Sequence, residues 1–209
     1  MKCVIKSLVT ILKKINGFWN HVLWKATSLE LGSVGKNCYA CKGFSFNGPE
    51  NIMIGNNFIA GKNLMIDTWS VYRGKKTGYE AKVNIGNNVT FADNCYISCL
   101  NHVEIKDGVL FGSHVFVSDN MHGSNAKEEL YISPAERQLS SKGEIHIGTN
   151  VWLGRNVCVM PGVHIGDYAI VGANSVVTHD VPQKVIVAGC PARIIRRMEE
   201  QGDFEYVQL

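Results

Sequence analysis

The sequence predicts an all-β chain, a parallel β-helix of hexapeptide repeats winding through about six triangular coils. Two observations carry this. Six hexads run in register from Ile147 to Pro182 (IGTNVW, LGRNVC, VMPGVH, IGDYAI, VGANSV, VTHDVP), each opening on an aliphatic residue with Val, Ala or Ser fifth. A period of six fits neither the 3.6 of a helix nor the 2 of a single strand, so it calls for stacked units that turn at fixed intervals. The register also continues backwards, through Ile105, Phe111 and Val117, then Ile85, Phe91 and Ile97, then Ile54, Ala60 and Ile66, to Val34, Ala40 and Phe46. Grouped in threes these residues describe coils that cover one another.

The elements follow in chain order. Residues 1–27 should form an amphipathic helix. At about 100° per residue, Val4, Ile5, Leu8, Ile11, Leu12, Ile15, Phe18, Trp19, Val22 and Leu23 share one sector, with Lys2, Lys6, Lys13 and Lys14 opposite. Such a helix can cap the open solenoid, pack on a neighbouring subunit or lie on an anionic membrane surface. The solenoid domain should span 28–190, with two eight-residue steps (Phe46 to Ile54, Ile97 to Ile105) marking bulged corners two coils apart. Glycine after the leading aliphatic, at 35, 55, 86, 148, 154, 166 and 172, is expected where corners need unusual φ, and the paired Asn56, Asn57, Asn87 and Asn88 tolerate the same turns. Residues 191–209 form a C-terminal extension, read as a short helix with a basic end at Arg196 and Arg197.

Composition removes several function classes. The net charge of +3, from 21 basic and 18 acidic side chains, is too balanced for nucleic acid, and no aromatic-basic platform appears. Seven cysteines without scaffold spacing read as reduced thiols, with Cys38, Cys95 and Cys158 at the small inward fifth position. The CxxC at Cys38 and Cys41 has no second pair at zinc spacing, and no metal is expected. Neither a signal-peptide pattern nor an uncharged apolar span occurs at the N-terminus, so the expected place is the cytoplasm, with the helix available for peripheral contact at the inner membrane face.

A repetitive wall is shallow, so chemistry belongs to excursions from it. Two segments break the hexads, 67–84 and 118–146, and the second opens SDNMHGSN. Of the seven histidines only His122 stands where a coil departs into a loop, with Asp119 close by. Asp119 or a main-chain carbonyl could hold its second ring nitrogen.

These hexads resemble those of the left-handed parallel β-helix in the hexapeptide-repeat acyltransferases, over roughly residues 30 to 198. FVSDNMHGSN is similar to the segment that carries the general-base histidine in the polysaccharide O-acetyltransferases, which implies that role for His122. IGTNVWLGRNV, VGANSVVTHDVP and VIVAGCPARIIRR resemble the coenzyme A segment of the sugar acetyltransferases. The resemblance implies an acyl-CoA groove lined by Trp152, Arg155, Gly172, Ala173, Thr178, His179, Arg193 and Arg196, with Trp152 beside the catalytic histidine. Arg155 departs from the small residue usual there. Asp93 and Asn94 are the implied acceptor contacts, although Ala92 replaces an Asn prominent in the galactoside enzymes. Acetyl-CoA is then a co-substrate rather than a resident cofactor, and the expected assembly is a homotrimer with the groove between subunits.

The implied reaction is O-acetylation of a sugar hydroxyl, in O-antigen, capsule or exopolysaccharide synthesis. Because the basic helix replaces the acidic N-terminal region of the maltose and galactoside enzymes, a polysaccharide repeat unit, carried on a membrane lipid, is expected over a free disaccharide. The alternatives are N-acylation of an amino sugar or other small amine, a zinc enzyme using His114 and His122 with a third histidine, and a non-catalytic binding solenoid.

Overall fold

The computed structural model describes residues 2–124, 126–198 and 204–206, with side chains from Lys14 onward as far as Met198. Three parallel sheets run the length of the solenoid; two have six strands, and the third has nine because the C-terminal strands join it. The leading residues form three inward columns in register. Val34, Ile54, Ile85, Ile105, Ile147 and Ile165 line the first sheet. Ala40, Ala60, Phe91, Phe111, Leu153, Val171 and Val187 line the second. Phe46, Ile66, Ile97, Val117, Val159 and Val177 line the third.

Volume is balanced along the second column. Phe91 and Phe111 stack at 4.0 Å between ring centroids, and Phe58 tilts against Phe91 at 5.8 Å. Ala40 and Ala60 are small in the coils where Phe58 and then Trp24 fill the interior, so the core stays close-packed without crowding.

The glycines play a different part from the one expected. Those after the leading aliphatics do not take positive φ; a Cβ on Gly35, Gly55, Gly86, Gly148, Gly154 or Gly166 would lie 2.4–2.7 Å from an atom of the next coil, and on Gly172 3.0 Å from the Ala188 Cβ. Their reason is close approach. The left-handed turns fall mainly to asparagine, which supplies eight of the twelve described non-glycine residues with positive φ. Its amides also bond along the axis, Asn37 to Asn57 at 3.1 Å and Asn57 to Asn88 at 2.9 Å.

Both eight-residue steps are corners. At the first, Gly48 is left-handed and Pro49–Asn51 forms a short 3-10 turn. At the second, the backbone N–H groups of Leu100 and Asn101 donate to the Asp119 carboxylate at 2.6 and 2.8 Å.

The helix Lys2–Ser28 closes the N-terminal end, though through a face the periodicity did not single out. Trp24 is 3% exposed, stacks on Phe58 and donates its indole N–H to the Cys38 carbonyl at 2.7 Å; Asn20, one turn earlier, bonds Tyr39 and the Ala40 carbonyl. The expected apolar face stays outside the core, with Phe18, Trp19 and Leu23 at 62%, 63% and 53% exposure. The side chains of Lys2, Val4, Ile5, Lys6, Leu8, Ile11, Leu12 and Lys13 lie outside the described residues.

The expected C-terminal helix is absent from the described residues. Val185–Gly189 joins the second sheet, the chain reverses, and Ala192–Met198 returns antiparallel to it with Ala188 opposite Arg193 and Ile186 opposite Arg196. The exposed edge of the last coil, with its unpaired amides and carbonyls, favours a covering strand over a helix.

Candidate active site

His122 ends the strand Asn120–His122, which pairs antiparallel with Leu139–Ser141 so that His122 faces Leu139. This ribbon is the root of the second excursion. Gly123 turns left-handed (φ 89) immediately after it, and its N–H bonds the Gln138 carbonyl at 2.8 Å. Asn120 anchors the other end, its amide donating to the carbonyl and hydroxyl of Ser98, both at 3.0 Å. The Trp69 indole reaches the same hydroxyl at 2.9 Å. His122 is thus an exposed imidazole on a strand fixed at both ends. No side chain or backbone group among the described residues hydrogen-bonds its ring.

Asp119 is not its orienting partner. The carboxylate is fully buried, turned inward onto the second bulged corner, where the Leu100 and Asn101 amides occupy its oxygens. Burial pushes its carboxyl above the ordinary value, against the opposing pull of those amides.

The ring against His122 is Tyr72, 5.6 Å between centroids and edge-on. Tyr72 belongs to a hairpin, Val71–Tyr72 with Lys75–Lys76, whose two-residue turn puts Arg73 (φ 49) and Gly74 (φ 78) in the left-handed region. Its tip meets the second excursion: the Tyr72 hydroxyl and Arg73 Nη1 both donate to the Ala135 carbonyl, at 3.0 and 3.1 Å. Arg137 Nε bonds the Ile132 carbonyl at 2.9 Å. Between them lies a cleft of about 380 Å³ lined by Tyr72, Arg73, Lys75, Glu136, Arg137 and their neighbours. Three cations against one carboxylate make it electropositive. Sequence reasoning missed these residues, although an X-Gly pair between VY and KK inside the excursion is a hairpin signal.

The implied donor residues fall into two groups. Trp152 is half exposed on the second sheet, and Arg155, Gly172 and Ala173 form the corner that follows that sheet. Thr178 and His179 follow the third sheet, at the corner from which the His122 excursion leaves two coils earlier. His179 and Arg193 line one cavity of about 320 Å³ at the C-terminal end, with Val187 and Ala192 as its apolar wall. Thr178 Oγ1 lies 2.9 Å from His179 Nδ1. Arg196 stands on the covering strand opposite Ile186.

Asp93 and Asn94 occupy the same corner as Arg155 and Ala173 and serve the turns. Asp93 Oδ1 accepts from the Lys62 amide at 2.7 Å, and Asn94 is left-handed (φ 62) and bonded to Asn63. His114 is likewise a turn residue, 3.4 Å from Asn94, and is not brought to His122. Within one chain, then, His122 belongs to an excursion that leaves after the third sheet, whereas Trp152 stands on the second.

Residues 144–179 match the family model for the bacterial transferase hexapeptide, six repeats. The chain is 36% identical over 155 residues to the Escherichia coli K12 protein WbbJ, a proposed lipopolysaccharide biosynthesis O-acetyl transferase, covering 72% of this chain and 74% of that one. It is 31% identical over 180 residues to the E. coli K12 galactoside O-acetyltransferase, covering 83% and 68%. This chain belongs to the hexapeptide-repeat acyltransferases. Among solved structures, galactoside acetyltransferase in complex with coenzyme A superposes with TM-score 0.53 at 30% identity, over 84% of this chain and 69% of that one. A point mutant of AntD, an N-acyltransferase from Bacillus cereus, in complex with dTDP and coenzyme A, shares the fold with TM-score 0.67 at 22% identity, over 85% and 90%. The coils of this acyltransferase accordingly wind left-handed, an exception to the right-handed rule for parallel crossovers. It is an enzyme, and the galactoside acetyltransferase it resembles holds coenzyme A.

Proposed function

We propose that this acyltransferase moves an acetyl group from acetyl-CoA to a sugar hydroxyl during polysaccharide biosynthesis, with His122 as general base. One observation carries the reading: an exposed imidazole with both ring nitrogens uncommitted among the described residues, on a strand fixed at both ends, beside an electropositive cleft. A thioester is already activated, so the chemistry asks for little more than a base. An imidazole nitrogen takes the hydroxyl proton as the oxygen attacks the acetyl carbonyl. The tetrahedral oxyanion needs a donor, most simply a backbone N–H of a neighbouring coil. Its collapse breaks the C–S bond, and the coenzyme A thiolate recovers the proton from the imidazolium.

A homotrimer completes the site in this proposal. His122 leaves the wall after the third sheet and Trp152 stands on the second, so in this proposal Trp152 comes beside a His122 where two subunits meet. Arg155, Gly172, Ala173, Thr178, His179, Arg193 and Arg196 would line the donor groove, the arginines suiting phosphates. Asp93 and Asn94 remain candidates for the acceptor across that junction. In the cleft beside Tyr72, Arg73, Lys75 and Arg137 favour an acceptor that bears phosphate or carboxylate.

The N-terminal helix supports a lipid-borne acceptor, since Phe18, Trp19 and Leu23 remain exposed after Trp24 has capped the core. No described helix is long and apolar enough to cross the membrane. Contact would be peripheral, at the inner face in a cytoplasmic enzyme, and flotation with anionic vesicles that weakens as salt rises would support it.

Incubating the enzyme with acetyl-CoA and a panel of sugars, nucleotide sugars and lipid-linked repeats tests the function. A product that loses its acetyl group in mild alkali is an ester and supports O-transfer. An alkali-stable acetamide overturns it in favour of N-acylation.

A further inference from the structure

The outer face of the first sheet carries a row of ligating side chains that the acyl-transfer reading leaves unused. In register across its strands stand Asn84, Glu104, His146 and His164. His102 lies two residues before Glu104 on the same face, and Glu144 two before His146, so a strand pair presents two histidines and two carboxylates as a square.

The distances within the square are those of a coordination polyhedron. Glu144 Oε2 is 3.2 Å from His102 Nδ1 and 3.2 Å from His146 Nε2. All three ligand atoms lie within 4.8 Å of one another. A zinc-type ion held tetrahedrally at about 2.0–2.2 Å sets its ligand atoms about 3.3–3.6 Å apart. Two of the three edges are therefore already near their bound length, and the third closes by rotation of the imidazoles. On the far side of its ring, His102 Nε2 lies 3.4 Å from Glu104 Oε2 and 3.1 Å from the Asn84 amide nitrogen. Glu104 is held in turn by Asn84 at 2.8 Å and Lys106 at 2.9 Å. A carboxylate behind a histidine is the usual way a metal-binding imidazole is oriented. The side chains of His102, Glu144 and His146 are 24%, 45% and 40% exposed, so a hydrated ion can reach them and keep water as a fourth ligand.

We propose that His102, Glu144 and His146 form a binding site for a divalent ion of the zinc class. The sequence alone points to no metal here, and its zinc alternative uses His114 and His122; these three ligands are hidden in it because His102 and Glu144 lie 42 positions apart and only the coil register brings them together. The site's position gives it a role. Glu144 and His146 belong to the segment where the second excursion rejoins the wall, directly after the strand Leu139–Ser141 that pairs with His122. An ion bridging them to His102 pins that return to the preceding coil, a clasp at the root of the excursion that acts on its stability.

Calorimetric titration of the metal-stripped full chain with zinc chloride, alongside magnesium chloride, tests this. The expected result is one zinc per chain, no magnesium binding because that ion prefers oxygen ligands, and a melting temperature raised by several degrees at saturating zinc. His102→Gln with His146→Gln should weaken zinc binding at least about tenfold and abolish the thermal shift. Glu144→Gln, at an exposed position, does the same if the double variant fails to fold. Zinc that does not bind wild type, or that binds the variants as tightly and therefore sits elsewhere, such as at Cys38 and Cys41, overturns the proposal.

Discussion

In the wall, a residue's partner is the one at the same place a coil away: Phe91 meets Phe111 at 4.0 Å, Asn57 meets Asn88, and Gly154 lies under the backbone of Ala173. In the excursions, partners are set by no period. The Tyr72 hydroxyl finds the Ala135 carbonyl 63 positions on, and the Trp69 indole shares the Ser98 hydroxyl with Asn120. The wall is thus constrained by backbone spacing and tolerates few substitutions, whereas the excursions are held by individual side-chain bonds over a wall that already stands. With His122 as the proposed base, stability and chemistry are divided between the two regions, which is how a repetitive fold can carry a specific site.

The sharpest way to break this comparison uses one glycine from each region. Gly154→Val should abolish the folded, soluble protein, because a Cβ there lies 2.7 Å from the Ala173 nitrogen and the next coil has nowhere to move. A variant melting within a few degrees of wild type would show that the wall is not spacing-limited. Arg73→Ala should leave the wall intact and raise the acceptor KM about tenfold, the worth of one charge-assisted contact, without altering the KM for acetyl-CoA. Equal changes in both constants would place the cleft outside the acceptor site. Gly74→Ala has open space around its Cβ and meets only the cost of its left-handed φ of 78, so thermal unfolding should report a loss of about 1 kcal/mol.

Legibility in the sequence follows the same division. All three inward columns were readable from the hexads, because the interior admits one side-chain class at one interval. The glycines were found at the right places and explained by the wrong cause: spacing shows where small residues recur, while only the folded structure separates positive φ from a backbone 2.7 Å away. Trp24 was missed as the cap because it lies outside the helix's apolar sector, where periodicity counts hydrophobicity without knowing which face meets the open coil. The C-terminal strand was misread as a helix because its pairing with Val185–Gly189 depends on an edge that exists only once the last coil is formed. At the site, His122 stood out by its place at a coil's departure. Asp119 was adjacent in sequence yet turns inward to the Leu100 and Asn101 amides, and Tyr72 was distant in sequence yet lies against the imidazole.

The central claim is that a side chain on an excursion performs the chemistry while the wall only presents the donor. It is tested most directly by turnover and acetyl-CoA binding measured together on His122→Ala. The account predicts a folded protein with unchanged acetyl-CoA affinity and a rate about 10² to 10⁴ lower, the usual contribution of a general base. Turnover within threefold of wild type would contradict it.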